Sequence, residues 1–460
     1  MAAFFDAVII GMGQAGPSLA ARLCAHGMKV AVAERDQFGG TCVNTGCTPT
    51  KSMIASAYAA HMASRAGDYG VISAGSSVNM ERVKARKDAI VRASREGVEN
   101  WMQGLKNATI YRGHARFSGQ RSVEINGETL IADKIYIDVG GRPLIPEMPG
   151  VDTIPYLTSV TMMDLDSLPE HLIVIGGSYV GLEFAQMFSR FGTRVTVVEM
   201  GPHLVGHEDE DVSQCIEEFL SAEGIALRLG ARCVSLQKSQ EGLAVGLDCK
   251  EGEPSERGSH VLLAVGRAPN TDDLALEAAQ IKTDQRGYIE VDEGLRTSNP
   301  HVWALGDCNG KGAFTHTAYN DYEIVADNLL AGAGRRFTDR VPVYALYTDP
   351  PLGRVGINEA AIKKTGVRAL VGKLPMTRVA RAREKGETQG FLKIHVEEGS
   401  KRILGASLLG VGADESVQSL IDAVYAKTPY TEFQRHVRIH PTLSELLPTV
   451  MEDLRPLAQD

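Results

Sequence analysis

The chain has 460 residues, enough for roughly three domains of ordinary size, and its 43% hydrophobic and 23% charged residues are those of a globular protein. A net charge of −9 excludes the basic footprint that nucleic acid or an anionic membrane surface requires, so neither is expected as a partner. No apolar run approaches the length of a transmembrane helix, and the N-terminal MAAFFDAVIIG carries neither a basic region nor a small-residue cleavage site, so no signal peptide is expected.

The first element is a strand, FFDAVIIG, that runs into a turn with Gly11, Gly13 and Gly16 at G-x-G-x-x-G spacing. A helix over Pro17 to His26 and a second strand, KVAVAER, follow, and the strand reaches Glu34. In such a unit the first glycine makes the tight turn, the second lets a pyrophosphate approach the backbone, and the third lets helix pack on strand. The helix N-terminus receives the phosphates, and the acid accepts hydrogen bonds from a ribose.

Next comes GGTCVNTGCTPTK, Gly39 to Lys51, with Cys42 and Cys47 in a glycine- and threonine-rich turn. Pro49 and the alanine-rich stretch Ile54 to Ala63 predict that Cys47 lies at a helix N-terminus. The dipole and free N–H groups there stabilise a thiolate. A thiolate beside a second cysteine suits a reversible dithiol/disulfide pair. The rival readings are a zinc half-site and two inert buried cysteines; the former lacks a second Cys/His pair. The other five cysteines, Cys24, Cys215, Cys233, Cys249 and Cys308, stand alone, which reads as a reducing cytoplasm and not a disulfide scaffold.

The strand–turn–helix–strand unit then repeats. HLIVIGGSYVG places Gly176, Ser178 and Gly181 at the earlier spacing, a helix runs through GLEFAQMFSRFG, and RVTVVEM ends near Glu199. From Gly11 to Glu34 and from Gly176 to Glu199 the separation is 23 residues in each copy. Serine replaces the middle glycine in the second. Two dinucleotide sites and a dithiol define an electron path from nicotinamide through flavin to sulfur. The first copy adjoins the cysteines and is expected to hold FAD; the second is expected to hold the nicotinamide. Glu199 would repel the 2′-phosphate of NADPH, and no arginine follows it, so NADH is expected, with NADPH as the alternative through His203 and His207.

Together with LLAVGRAPNT (Leu262 to Thr271), WALGDC (Trp303 to Cys308) and HPTLSE (His440 to Glu445), these segments resemble class I flavoprotein disulfide reductases. That is the family of dihydrolipoyl dehydrogenase, glutathione reductase and mercuric reductase, and the resemblance spans essentially the whole chain. It implies an α/β fold: two Rossmann-type dinucleotide-binding domains plus an α+β dimerisation domain. The expected bounds are 1–146 and 267–339 for the FAD domain, 147–266 for the NAD(P) domain and 340–460 for the interface domain. The resemblance makes Cys42 the interchange thiol and Cys47 the flavin-side thiol. Lys51 would lie near the flavin, paired with Glu183, and Tyr179 would gate the nicotinamide pocket. Thr41, Gly140 and Asp307 would bind FAD, and Gly266 would bind NAD. His440, held by Glu445, would be the acid/base for the dithiol of the other subunit, which implies an obligate homodimer. Val139 departs from the threonine usual before Gly140, which leaves that turn's hydrogen bonding open.

TDPPLGRVGINE and VARAREKGETQGFLK resemble the mercuric-reductase-like branch, which includes enzymes of reactive-chlorine resistance. No cysteine follows Cys308, which argues against mercury reduction. The expected activity is therefore NAD(P)H-dependent reduction of a disulfide or oxidised-sulfur substrate. Dihydrolipoyl dehydrogenase, acting on a lipoyl-type dithiol, is the alternative, and glutathione-type, metal-ion or diaphorase activities follow behind. Arg378, Arg381 and Arg383 read as a solvated basic turn that could otherwise dock an anion.

Overall fold

The computed structural model describes residues 2–72, 75, 77–239, 242–248 and 254–458; Cys249 lies outside the described residues, as does the side chain of Cys233. Both repeat units build parallel sheets. In the first, Ala2–Ile10 is flanked by Val30–Glu34 and by Glu128–Ile137, with Ala108–Arg112 beyond. An antiparallel pair, Ser122–Ile125 and Ala115–Gly119, extends the sheet, and Val302–Ala304 returns from far along the chain to pair with Glu128–Ile137. The inner strands are near-continuous apolar runs because both faces are covered.

The second sheet has five parallel strands, in the order Ala226–Arg228, Arg194–Val198, His171–Ile175, His260–Leu263 and Leu157–Thr158. A two-stranded ribbon, Gly141–Pro143 against Arg267–Pro269, lies where the chain leaves the first sheet and comes back to it. A six-stranded antiparallel sheet follows: Val343–Leu346, Leu352–Gly356, Ile403–Leu409, Phe391–Glu397, Ala369–Pro375 and Arg455–Pro456. The architecture is the expected α/β one, with two dinucleotide-type sheets and an α+β C-terminal unit.

Helix Cys47–Ser64 begins seven residues before the alanine-rich stretch. Pro49 falls in its first turn, where a missing N–H costs nothing, so the helix extends back to the cysteine. This helix packs on Tyr179–Phe191, the helix of the second repeat, and thereby holds the dithiol between the two nucleotide turns. Among the described residues no helix is long and apolar enough to cross a membrane.

Candidate active site

The two turns are superimposable in their bonding. The N–H of Gly11 donates to Ala33 O and that of Gly176 to Val198 O, each at 2.8 Å. Glu34 accepts from the N–H of Met12 and of Asp36, both at 2.8 Å. Glu199 accepts from the N–H of Gly177 and of Gly201, both at 2.7 Å. Each acid thus clamps the backbone of its own turn. Gly11 and Gly176 take φ of +97° and +116°, and a Cβ there would lie 2.3 Å from Asp138 O and 2.4 Å from Ala264 O. Under the turns, a Cβ on Gly16 or Gly181 would meet the carbonyl of Gly11 at 2.6 Å or of Gly176 at 2.0 Å. Gly13 packs close to the Asp138 carboxyl, where a Cβ would lie 3.1 Å from Oδ2. Ser178 is the residue before helix Tyr179–Phe191 and is exposed, so its side chain obstructs nothing.

Cys47 is the first residue of its helix, as expected. Its thiol lies 3.4 Å from the Thr315 hydroxyl. A hydrogen bond from Cys42, another from Thr315 and the charge of Lys51 bring its pKa down to about 6, against the opposing effect of burial. Cys42 moves the other way: the hydrogen bond it gives to Cys47, followed by burial, raises its pKa. The geometry therefore separates the pair into a proton-holding Cys42 and a thiolate-prone Cys47. Gly40 brings this loop against the first turn, since a Cβ there would lie 2.7 Å from Gly13 Cα.

One turn further along the helix, Lys51 Nζ lies 2.7 Å from Glu183 Oε2. The other Glu183 oxygen accepts from the Tyr347 N–H at 3.1 Å, and Lys51 also sits 4.6 Å from the Tyr347 ring centre. Glu183 is buried, so this is a bridge between two packed helices and not a surface pair. Tyr179, at the start of the second helix, rests against Phe314 and Tyr344.

Asp307 accepts from Arg267 Nε at 3.2 Å, and burial raises its pKa. The same guanidinium reaches Thr41 Oγ1 at 3.5 Å and donates to Gly141 O. Arg267 therefore ties together three regions widely separated in sequence. The turn at Val139 is held without a threonine: Asn270 donates to Val139 O through its side chain at 2.9 Å and to Gly140 O through its N–H at 3.1 Å. Arg267, Thr315, Asn270 and Asp138 were not singled out from sequence. LLAVGRAPNT contains Arg267 and Asn270, and the IDVGGRP turn around Val139 contains Asp138; Thr315 carried no signal.

His440 Nδ1 lies 2.9 Å from Glu445 Oε2, the pairing expected of an oriented acid/base. The imidazole is exposed, however, and is not among the residues that line the cavity holding the dithiol. It sits beside Val437 and Ile439, exposed by 100% and 79%. Arg378, Arg381 and Arg383 also lie away from that cavity, with Arg381 paired to Glu384 at 3.2 Å. His203 is 3.4 Å from Glu217, and His207 lines the cavity.

The cavity measures about 1800 Å³ and opens on both nucleotide turns, both cysteines, Lys51, Tyr179 and Asp307. Gly140 and Gly266 line it with nothing within 4 Å of where a Cβ would stand, so the backbone offers a ligand close approach. Asp138 accepts from the Gly16 N–H at 2.8 Å, and burial holds its pKa well above the carboxylate range. The donors, the free space and the volume fit FAD and a nicotinamide dinucleotide together.

Two dinucleotide turns opening on one cavity with an asymmetric dithiol define a flavin- and nicotinamide-linked dithiol oxidoreductase. The chain belongs to the pyridine nucleotide-disulphide oxidoreductase family: the family model matches residues 5–321 and its dimerisation domain residues 343–451. It is 34% identical to the probable pyridine nucleotide-disulfide oxidoreductase RclA of Escherichia coli (strain K12), over 96% of this chain and 98% of that one. It is 33% identical to a mercuric reductase of Streptomyces lividans (96% and 94%) and 32% identical to a dihydrolipoyl dehydrogenase of Thermus scotoductus (99% and 98%). Among solved structures it is similar to the HOCl-induced flavoprotein disulfide reductase RclA from Escherichia coli, with TM-score 0.88, 32% identity and coverage of 96% and 98%. The chain is an FAD-dependent enzyme that passes electrons from NAD(P)H to the Cys42–Cys47 pair.

Proposed function

We propose that this enzyme is a cytoplasmic, NADH-preferring homodimer that reduces a disulfide or oxidised-sulfur substrate, in the branch of the reactive-chlorine-induced reductase. The observation that carries the reading is the asymmetry of the dithiol: a thiolate-stabilised Cys47 at a helix N-terminus and a Cys42 that keeps its proton. Residues 1–146 and 267–339 hold FAD, residues 147–266 hold the nicotinamide nucleotide, and residues 340–460 form the dimer. Gly11, Gly13, Glu34, Thr41, Gly140 and Asp307 cradle FAD; Gly176, Ser178, Glu199 and Gly266 cradle NADH. Gly16 and Gly181 keep the helices close enough for their N-termini to meet the phosphates.

When bound, FAD accepts the electron pair of the reduced nicotinamide and makes it available to sulfur. The protein groups then carry the exchange. Cys42 gives its proton to His440 of the partner subunit, and its sulfur attacks the substrate disulfide. A mixed disulfide forms and one thiolate leaves, taking the proton back from the imidazole. The Cys47 thiolate attacks Cys42, closing the Cys42–Cys47 disulfide and releasing the second thiolate, which takes its proton from solvent. Lys51, neutralised by Glu183, provides positive charge beside Cys47.

A steady-state screen of NADH oxidation against small disulfides, glutathione disulfide, lipoamide, hypothiocyanite and metal ions tests this reading. Turnover of a disulfide or oxidised-sulfur acceptor that disappears in Cys42→Ser supports it. Activity with metal ions alone that survives Cys42→Ser would replace it with a dithiol-independent reductase. The second reading, dihydrolipoyl dehydrogenase, is favoured by the full-length relative from Thermus scotoductus, and efficient NAD+ reduction by dihydrolipoamide would establish it.

A further inference from the structure

Away from the dithiol, the densest buried charge lies between the second nucleotide sheet and the C-terminal sheet. Glu208 and Asp209 precede helix Glu210–Ala222, and their side chains are 0% and 3% exposed. Facing them are Arg354 on strand Leu352–Gly356 and Lys393 on strand Phe391–Glu397, each 2% exposed. Lys393 Nζ lies 2.9 Å from Asp209 Oδ2 and 2.9 Å from Glu359 Oε1. Asp209, Glu359 and His395 could by spacing hold a metal ion, but the Lys393 ammonium already supplies the cation there. Arg354 lies 3.6 Å from Asp209 and 3.9 Å from Glu208.

One group of this cluster points back toward the cavity. The Tyr344 hydroxyl donates to Glu208 Oε1, so its single proton is committed. The Tyr344 ring lies 5.3 Å from that of Tyr179, and Phe314 packs against both. Tyr179, Tyr344 and Phe314 all line the cavity beside the second nucleotide turn. A fully buried carboxylate held by Arg354 is a fixed acceptor. It locks the Tyr344 hydroxyl and so fixes the ring that packs on Tyr179.

We infer that Tyr344 and Glu208 are positioning residues that hold Tyr179 over the second nucleotide turn and thereby set the affinity for the nicotinamide nucleotide. The inference rests on the reading of Tyr179 as the gate of that pocket. It gives the C-terminal sheet a direct hand in nucleotide binding, through one hydroxyl.

The test is a double-mutant cycle on the FAD-loaded enzyme, with KM for NADH and kcat measured for Tyr344→Phe, Glu208→Gln, Tyr179→Ala and the pairs with Tyr179→Ala. Tyr344→Phe keeps the ring and is the milder change; FAD content and Tm show whether Glu208→Gln folds. The expected result is a rise in KM of roughly two- to tenfold for Tyr344→Phe, the loss of about one net hydrogen bond, with kcat changed far less. In the Tyr179→Ala background Tyr344→Phe should have no further effect. An equal effect in both backgrounds, or none in the wild type, would overturn the inference while leaving the gate intact. If Tyr179→Ala itself leaves KM for NADH unchanged, the gate reading falls and this inference falls with it.

Discussion

A single hydroxyl, 268 residues away in sequence, helps decide which sulfur of the pair carries charge. In the reduced wild-type enzyme, peptide-resolved alkylation of Cys47 should rise with pH through a midpoint near 6, because the folded environment brings its pKa down to about 6. Below that pH the thiolate takes up a proton and reactivity should fall away. An ordinary cysteine would show its midpoint at about 8.5. Thr315→Val removes one hydrogen bond to a charged sulfur, of about 1.5–3 kcal/mol, and should raise the midpoint by about 1–2 pH units. An unchanged midpoint would take Thr315 out of the site. Cys47 at a helix start was legible because Pro49 marks a first turn. Thr315 was not, because no local rule connects a threonine to a cysteine so far along the chain. At Glu199 the carboxylate is fixed by two backbone N–H groups and is not free to swing aside. NADPH should therefore lose at least about tenfold in kcat/KM relative to NADH, and equal use of the two nucleotides would refute this.

At the scale of elements, the two repeats were legible because glycine, strand and acid recur at one fixed offset and geometry demands each of them. The elements between them were read less well. The ribbon Gly141–Pro143 with Arg267–Pro269, the three-stranded sheet built on Arg232–Ser239, and the return of Val302–Ala304 to the first sheet depend on long-range pairing, which leaves no local pattern. The doubt at Val139 dissolves for the same reason: Asn270, 131 residues on, supplies the hydrogen bond. The repeats also permit a paired test. Gly16→Ala places a Cβ 2.6 Å from Gly11 O and should yield protein largely free of FAD. Gly181→Ala places one 2.0 Å from Gly176 O and should keep FAD while raising KM for NADH; each overpacking should cost about 1–3 kcal/mol in stability. Flavin absorbance per chain and thermal melts measure both, and loss of FAD from Gly181→Ala instead would reverse the assignment of the two turns.

For the whole molecule, the decisive fact is that His440 and Glu445 form their pair outside the cavity of their own chain. Removing the imidazole in His440→Ala should slow disulfide turnover by roughly 10²- to 10⁴-fold and leave reduction of FAD by NADH nearly unchanged. Mixing His440→Ala with Cys42→Ser chains under conditions that exchange subunits should restore activity, because each heterodimer then has one intact site. Exchange without recovery would count against a shared site. The HPTLSE motif and its assignment to the other subunit's dithiol came from the family resemblance; no local pattern in the sequence says which subunit a loop serves.

Val437 and Ile439 give this arrangement a further meaning. A single chain displays two bare aliphatic side chains next to His440, and that imidazole does not line the cavity of its own dithiol. In the proposed shared-site dimer, the histidine that serves the dithiol stands on the segment that carries these two side chains. On that reading, a lone chain is expected to turn over disulfides no faster than the His440→Ala enzyme, and full competence arrives with assembly.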